Sequence, residues 1–260
     1  MARVSIEYRD HVARVTLTRG DKMNALDDAM IQAIVSAGQE VAASEARAVV
    51  LAGEGKSFCA GLDLASFGKL GQDDAAKWLM PRTQGDTNDF QEVAMVWRRV
   101  PVPVIAALQG AVFGGGLQLA LGADIRIAAP DAMLSVMEMK WGLVPDMGGM
   151  ALLPRLVRSD VLRQLTYTAR PVDAAQARAW GLVTTVSEDP QQEALDLAQE
   201  IAGKSPSAIR AAKRLIDLAE SADREEVLLA ESREQANLIG RRDQMETIAA
   251  AMQGRPAVYK

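Results

Sequence analysis

The alternation of apolar and polar residues sets the first elements. Val4, Ile6 and Tyr8 alternate with polar neighbours, and after the polar turn Arg9-Asp10-His11 the pattern resumes at Val15 and Leu17, which predicts a half-buried hairpin. Asp27 stands where a helix cap belongs, ahead of Met30, Ala33, Ile34, Ala37 and Val41 at three- and four-residue steps. The unbroken apolar run Ala48-Val49-Val50-Leu51-Ala52 predicts a short strand buried on both faces. Strand, helix and buried strand in succession make a right-handed crossover.

Further along, the same grammar repeats. A glycine-rich stretch, GEGKSFCAGL (53–62), follows the buried strand, and residues 66 to 90 are mixed and polar, which reads as a mobile segment broken only by the patch Lys77-Trp78-Leu79. Pro101 and Pro103 introduce a second apolar run, Val104 to Leu108, followed by Gly110, the triplet Gly114-Gly115-Gly116 and the helix-like LQLALGAD, with another strand expected at Ile125 to Ala129. After Leu182-Val183 the chain reads as helix, with one stripe at Ala194, Leu197, Ala198, Ile201 and Ala202 and another from Ile209 to Leu218. The prediction is an α/β core over 1–195 and a helical C-terminal region over 196–260, with no internal repeat.

Composition narrows the chemistry. Of 260 residues, 49% are hydrophobic but only 4% aromatic, so aliphatic residues and twelve Met must fill the core, which suits helices and buried parallel strands. One histidine, His11, and one cysteine, Cys59, preclude a disulfide framework and any metal site built from several His or Cys, and a Ser-His-Asp triad would have to use a residue in a hairpin turn. A single Cys, an N-terminal stretch without a signal-like apolar run and no window of about 18 apolar residues predict a cytoplasmic protein off the membrane. The net charge of −5 argues against nucleic-acid binding, which needs a basic face. Cys59 and His11 are expected to be an apolar filler and a solvated surface residue.

Two turns remain, near residues 61 and 115, where a buried strand ends and a helix opens. Such turns point free backbone N–H groups outward, and two that converge on a carbonyl oxygen would stabilise an enolate, each by about 3 kcal/mol in the transition state. The plainer reading is that the glycines only permit tight turns. Neither stretch has the spacing of a dinucleotide or phosphate loop.

These residues also carry a resemblance. SFCAGLDL (57–64), GAVFGGGLQLA (110–120) and GLVPDMGG (142–149), with RGDKMNAL (19–26) before them and AAQARAWGLV (174–183) after, resemble the enoyl-CoA hydratase/isomerase (crotonase) superfamily across nearly the whole chain and in the right order. The resemblance implies a crotonase-like (ClpP/crotonase) fold of repeated β-β-α turns with a helical C-terminal region that packs between subunits as a homotrimer or hexamer. It implies an acyl-CoA substrate, with coenzyme A as part of that substrate and no separate cofactor or metal. The oxyanion donors would be the N–H groups of Leu62 and Gly115. Coenzyme A and the acyl group would lie against Lys22, Met23, Ala60, Gly61, Asp63, Leu64, Gly114 and Gln118, with the segment from Ser66 to Phe90 as a lid or acyl-chain wall.

Family hydratases hold water with two glutamates, one just after the glycine triplet and one about twenty residues on. Here the first position is Gln118 and the second is Glu138. An amide orients a water but cannot exchange a proton near neutral pH, so two-carboxylate hydration is disabled as written. Asp146, eight residues beyond Glu138, stands where some family isomerases carry an acid. Glu138 and Asp146 would then move a proton between the α- and γ-carbons of a dienolate. Three alternatives stay open: Asp146 as a simple helix cap, hydration or hydrolysis by Glu138 alone, and an acyl-CoA-binding homologue without catalysis. Gln118 itself reads as a packed or water-binding helix residue.

Overall fold

The computed structural model describes residues 2–63, 65 and 74–259. Strands β1 (Val4–Arg9) and β2 (Val12–Leu17) pair antiparallel, with Ile6 opposite Val15 and His11 in the connecting turn. Helix α1 (Asp28–Ala42) is capped by Asp27, whose side chain accepts from Met30 N at 2.8 Å. Strand β3 (Ala48–Gly53) is buried along its whole length and pairs parallel to β2.

The segment expected to be mobile is more structured over its described part. Residues Ala76–Leu79 form a short helix, α2, and Asn88 and Gln91 make a capping box that starts helix α3 (Asp89–Arg99). Residues 66–73 lie outside the described set. Helix α3 packs on α1, and Gly38 permits this, because a Cβ there would sit 2.5 Å from Val96 Cγ2.

Strand β4 (Val104–Leu108), strand β5 (Ala111–Phe113) and helix α4 (Gly115–Leu121) follow without a break, a complete β-β-α turn. Strands β6 (Ile125–Ala128), β7 (Met133–Ser135), β8 (Val172–Asp173) and β9 (Thr185–Val186) complete two sheets, a six-stranded one ordered β1-β2-β3-β4-β6-β9 and a three-stranded one ordered β5-β7-β8. One face of the large sheet, through Val49 and Leu51, joins the main core with α1 and Trp97. The other, through Val50, Ile105 and Ile127, packs on Ala194, Ala198 and Ala202 of a later helix.

Between β7 and β9 lie a 3-10 turn over Glu138–Trp141 and the short helices α5 (Gly149–Leu152), α6 (Ser159–Thr168) and α7 (Ala174–Trp180). Helix α8 (Pro190–Ala202) is the one that covers the sheet, and it runs through position 195, where core and helical region were expected to meet. Helix α9 (Pro206–Ala219) is tethered by buried Lys213, whose ammonium lies 2.8 Å from Asp124 and donates to Val102 O at 3.1 Å. Helix α10 (Arg224–Leu238) buries none of its residues, and α11 (Arg242–Met252) buries only Ala250. Among the described residues no helix is long and apolar enough to cross a membrane.

Candidate active site

The two glycine-rich turns meet at the C-terminal ends of β3 and β5. Buried Asn24 ties the first turn down: Oδ1 accepts from Arg19 N at 2.9 Å, and Nδ2 donates to Glu54 O and Ser57 O at 3.0 and 2.9 Å. Beyond it, Leu26 N donates to Gly61 O at 2.8 Å and Asp63 N donates to Leu26 O at 2.9 Å. Leu62 lies between these two bonds, and its own N–H makes none of the described hydrogen bonds.

The second turn is locked to the first by Cys59, whose N–H donates to Ala111 O and whose carbonyl accepts from Phe113 N, both at 3.1 Å. Gly114 then adopts φ 52°, ψ −120°, a conformation open to glycine, and Gly115 opens α4 with an N–H that has no helical partner. A Cβ on Gly61 would lie 2.7 Å from Phe113 O and 3.6 Å from Gly115 N, so the two loops touch where the two free amides emerge. Above Gly115, Met147 Sδ and Leu26 Cδ1 would stand 2.6 and 2.9 Å from an added Cβ, which makes them the walls of the slot.

Glu138 sits beside this turn, its Oε1 3.4 Å from where a Gly114 Cβ would be. Gln118, 2% exposed, donates from Nε2 to Glu138 Oε1 at 2.6 Å, while its Oε1 accepts from Met147 N at 2.8 Å and Gly149 N at 2.9 Å. Glu138 Oε2 is buried with no hydrogen-bond partner among the described residues. Burial pushes the Glu138 carboxyl above its ordinary range, donors including Gln118 pull it part of the way back, and the Asp146 charge pushes it up again. Asp146 is exposed in the single chain, yet partial loss of hydration pushes its carboxyl up as well. The helix-cap reading of Asp146 is overturned: the next helix, α5, is entered through Gly148 at φ 91° with no side-chain cap bond.

The remaining residues expected to meet substrate differ in exposure and commitment. Lys22 and Met23 are exposed at the end of a 3-10 turn, Ala60 is half-buried with its N–H donating to Met23 O at 2.9 Å, and Leu64 lies outside the described residues. Asp63 is committed to protein partners: Ala65 N donates to it at 3.0 Å and Arg19 Nη1 lies 2.6 Å away, which together hold its carboxyl low. Arg19 and Asn24 escaped the reading of the sequence as site residues, although both stand in the stretch RGDKMNAL. Cys59 is fully buried, donates to Asn24 O at 3.1 Å, and has its thiol pushed up to about 12 by burial. His11 lies in the turn ahead of β2, at the end of that strand away from the glycine-rich turn that follows β3. A cavity of about 350 Å³ beneath α9, lined by Arg126 and Lys213 among others, touches none of the glycine turns.

The family model for enoyl-CoA hydratase/isomerase matches residues 7–260. The chain belongs to this family. Among its relatives, YngF of Bacillus subtilis (strain 168) is 35% identical over 255 residues, covering 96% of this chain and 95% of that protein. The mitochondrial Delta(3,5)-Delta(2,4)-dienoyl-CoA isomerase of Homo sapiens is 36% identical over 214 residues, which is 78% of this chain and 64% of the isomerase, just under two thirds of its length. The crystal structure of an enoyl-CoA hydratase from Bacillus anthracis superposes with a TM-score of 0.89 at 30% identity over 99% of each chain. The crotonase-like fold expected of the β-β-α turns is thus the fold of this enoyl-CoA hydratase/isomerase family member.

Proposed function

We propose that the chain shifts a double bond within an acyl-CoA thioester through an enolate held by backbone N–H groups. The observation that carries this reading is the Glu138 carboxylate, set beside the Gly114 turn and within the field of Asp146, with its buried Oε2 unpartnered among the described residues. The thioester oxygen would accept from Leu62 N–H and Gly115 N–H, and the α-carbon would then face Glu138. Glu138 takes the α-proton, and the C–H electron pair moves into the conjugated dienolate. Asp146, whose carboxyl is pushed up in the direction an acid requires, returns a proton at the far end. Solvent access at Asp146 resets the pair, and the step balances without a cofactor.

Lys22, Met23, Ala60, Gly61, Asp63, Leu64 and Gly114 would form the coenzyme A and thioester rim. The free, buried Cys59 supports a reducing, cytoplasmic setting. Leu228 and Leu229 on α10, with Ile239, Met245, Ile248 and Met252 beyond, stand exposed in the single chain and support assembly as a homotrimer or hexamer through the C-terminal helices.

The test is proton exchange in heavy water together with product formation from a 3-enoyl- and a 3,5-dienoyl-CoA. Glu138→Gln is expected to lose both by about 100-fold or more, and Asp146→Asn to keep α-exchange while losing the double-bond shift. An Asp146→Asn enzyme that still isomerises refutes the two-carboxylate reading, and a hydrated or hydrolysed product that depends on Glu138 but not on Asp146 supports hydration or hydrolysis by Glu138 alone. Tight acyl-CoA binding with no exchange supports a binding homologue.

A further inference from the structure

We infer that Gln118 is a positioning residue that selects Glu138 Oε2 as the proton-transfer atom and ties the Asp146 loop to the same amide. The inference rests on the reading of Glu138 and Asp146 as a proton-transfer pair. The direction of the amide is dictated by its partners. Met147 N–H and Gly149 N–H can only donate, so they must face Oε1, at 2.8 and 2.9 Å, and Nε2 must face Glu138 Oε1, at 2.6 Å. One oxygen of Glu138 is thereby occupied and the other, Oε2, has no partner among the described residues.

The same carboxamide grips the chain immediately after Asp146. Two of the three residues that follow it hang from Gln118 Oε1, so the separation of the two carboxylates is set through a single buried side chain. Gly149 makes the approach possible, because a Cβ there would lie 2.8 Å from both Cγ and Oε1 of Gln118. Among the described residues, Asp146 is the charged group whose field reaches Glu138.

Chemistry restricts what can replace this amide. A glutamate at 118 would keep both backbone bonds but turn an oxygen toward Glu138 Oε1, and two carboxylates at that distance share one proton. A methionine would keep the volume and lose all three bonds.

The experiment compares wild type, Gln118→Glu and Gln118→Met, using kcat and KM for a 3,5-dienoyl-CoA across pH and carbon NMR titration of the glutamate carboxyls without ligand. Gln118→Glu is expected to lower kcat about ten-fold near neutral pH with KM within about two-fold, and to move the acid limb up by about one pH unit or more, with activity recovering above it. Gln118→Met is expected to lower kcat about 100-fold at every pH, with no recovery. A Gln118→Glu enzyme with the wild-type pH profile and an unmoved Glu138 titration overturns the proposal. Gln118→Glu keeps the volume and two of three bonds, so it decides the matter even if the methionine variant does not fold. Retained activity in Glu138→Gln would instead sink the proton-pair reading, and the carbon titration would still report whether Gln118 governs Glu138.

Discussion

Arg19 Nη1 lies 2.6 Å from Asp63 Oδ2 and donates to Ala25 O at 2.9 Å, so one guanidinium joins the loop before α1 to the loop that carries Leu62. Both side chains are mostly shielded from solvent. Arg19→Ala is expected to cost about 1–3 kcal/mol in chemical denaturation, the range for a charge-assisted bond lost with its partner left behind. Because Asp63 is held low, first by Ala65 N–H and then by Arg19, its contribution is present above the ordinary Asp value of 3.8 and fades as pH falls below it. The stability gap between wild type and Arg19→Ala should therefore narrow below that pH.

Asn24 makes three side-chain hydrogen bonds from a fully buried site with its backbone at φ 53°, a conformation Asn tolerates better than most residues. Asn24→Ala is expected to cost about 2–4 kcal/mol, since it strands Arg19 N and two carbonyls. An unchanged denaturation midpoint would refute this account of the loop.

Gly61 and Gly85 share a positive φ, 92° and 83°, but a Cβ at Gly61 would meet Phe113 O at 2.7 Å whereas one at Gly85 would meet nothing within 4 Å. Gly85→Ala should cost about 1 kcal/mol of backbone strain and leave turnover intact. Gly61→Ala should cost more and lower kcat about ten-fold or more, because it pushes apart the turns that carry Leu62 and Gly115. Equal effects on turnover would mean that the contact of the two turns is irrelevant to the chemistry.

Cys59, with its thiol pushed up to about 12 and no exposed surface, should resist a disulfide reagent at pH 8 in the folded protein. Its labelling rate should follow unfolding, rising steeply with denaturant.

Glu246 accepts from Arg255 Nη1 at 2.6 Å and from Val258 N at 2.8 Å, which together hold its carboxyl at about 2. The latch on the C-terminal segment should persist above the ordinary Glu value of 4.5 and release as pH falls toward 2, followed by the Val258 amide resonance. Glu246→Ala, which removes the acceptor, should leave that resonance in its released position at all pH values.

Much of the architecture was legible because burial writes a local signature. The run Ala48 to Ala52 announced β3, and Asp27 announced the start of α1 by the bond it makes to Met30. Helix α3 was not legible. Its apolar residues Val93, Val96 and Trp97 have helical spacing, but they are interleaved with Glu92, Arg98 and Arg99 in three turns. Glu92 is nonetheless buried, because Thr87 just ahead of the helix, at 2.6 Å, and Arg99 two turns later on the same helix compensate it.

The residue types at 118, 138 and 146, and the two glycine turns, were set by the chain alone, since identity and spacing need no coordinates. Tertiary structure decided what those residues do to one another. Glu138 and Gln118 are twenty positions apart and meet only because β5 and β7 pair in parallel, Ala111 opposite Met133 and Phe113 opposite Ser135. Whether Gln118 faces a ligand or the Asp146 loop depended on where Met147 N and Gly149 N came to rest. Hydrogen bonds act over about 3 Å in space, a distance that separation along the chain does not encode.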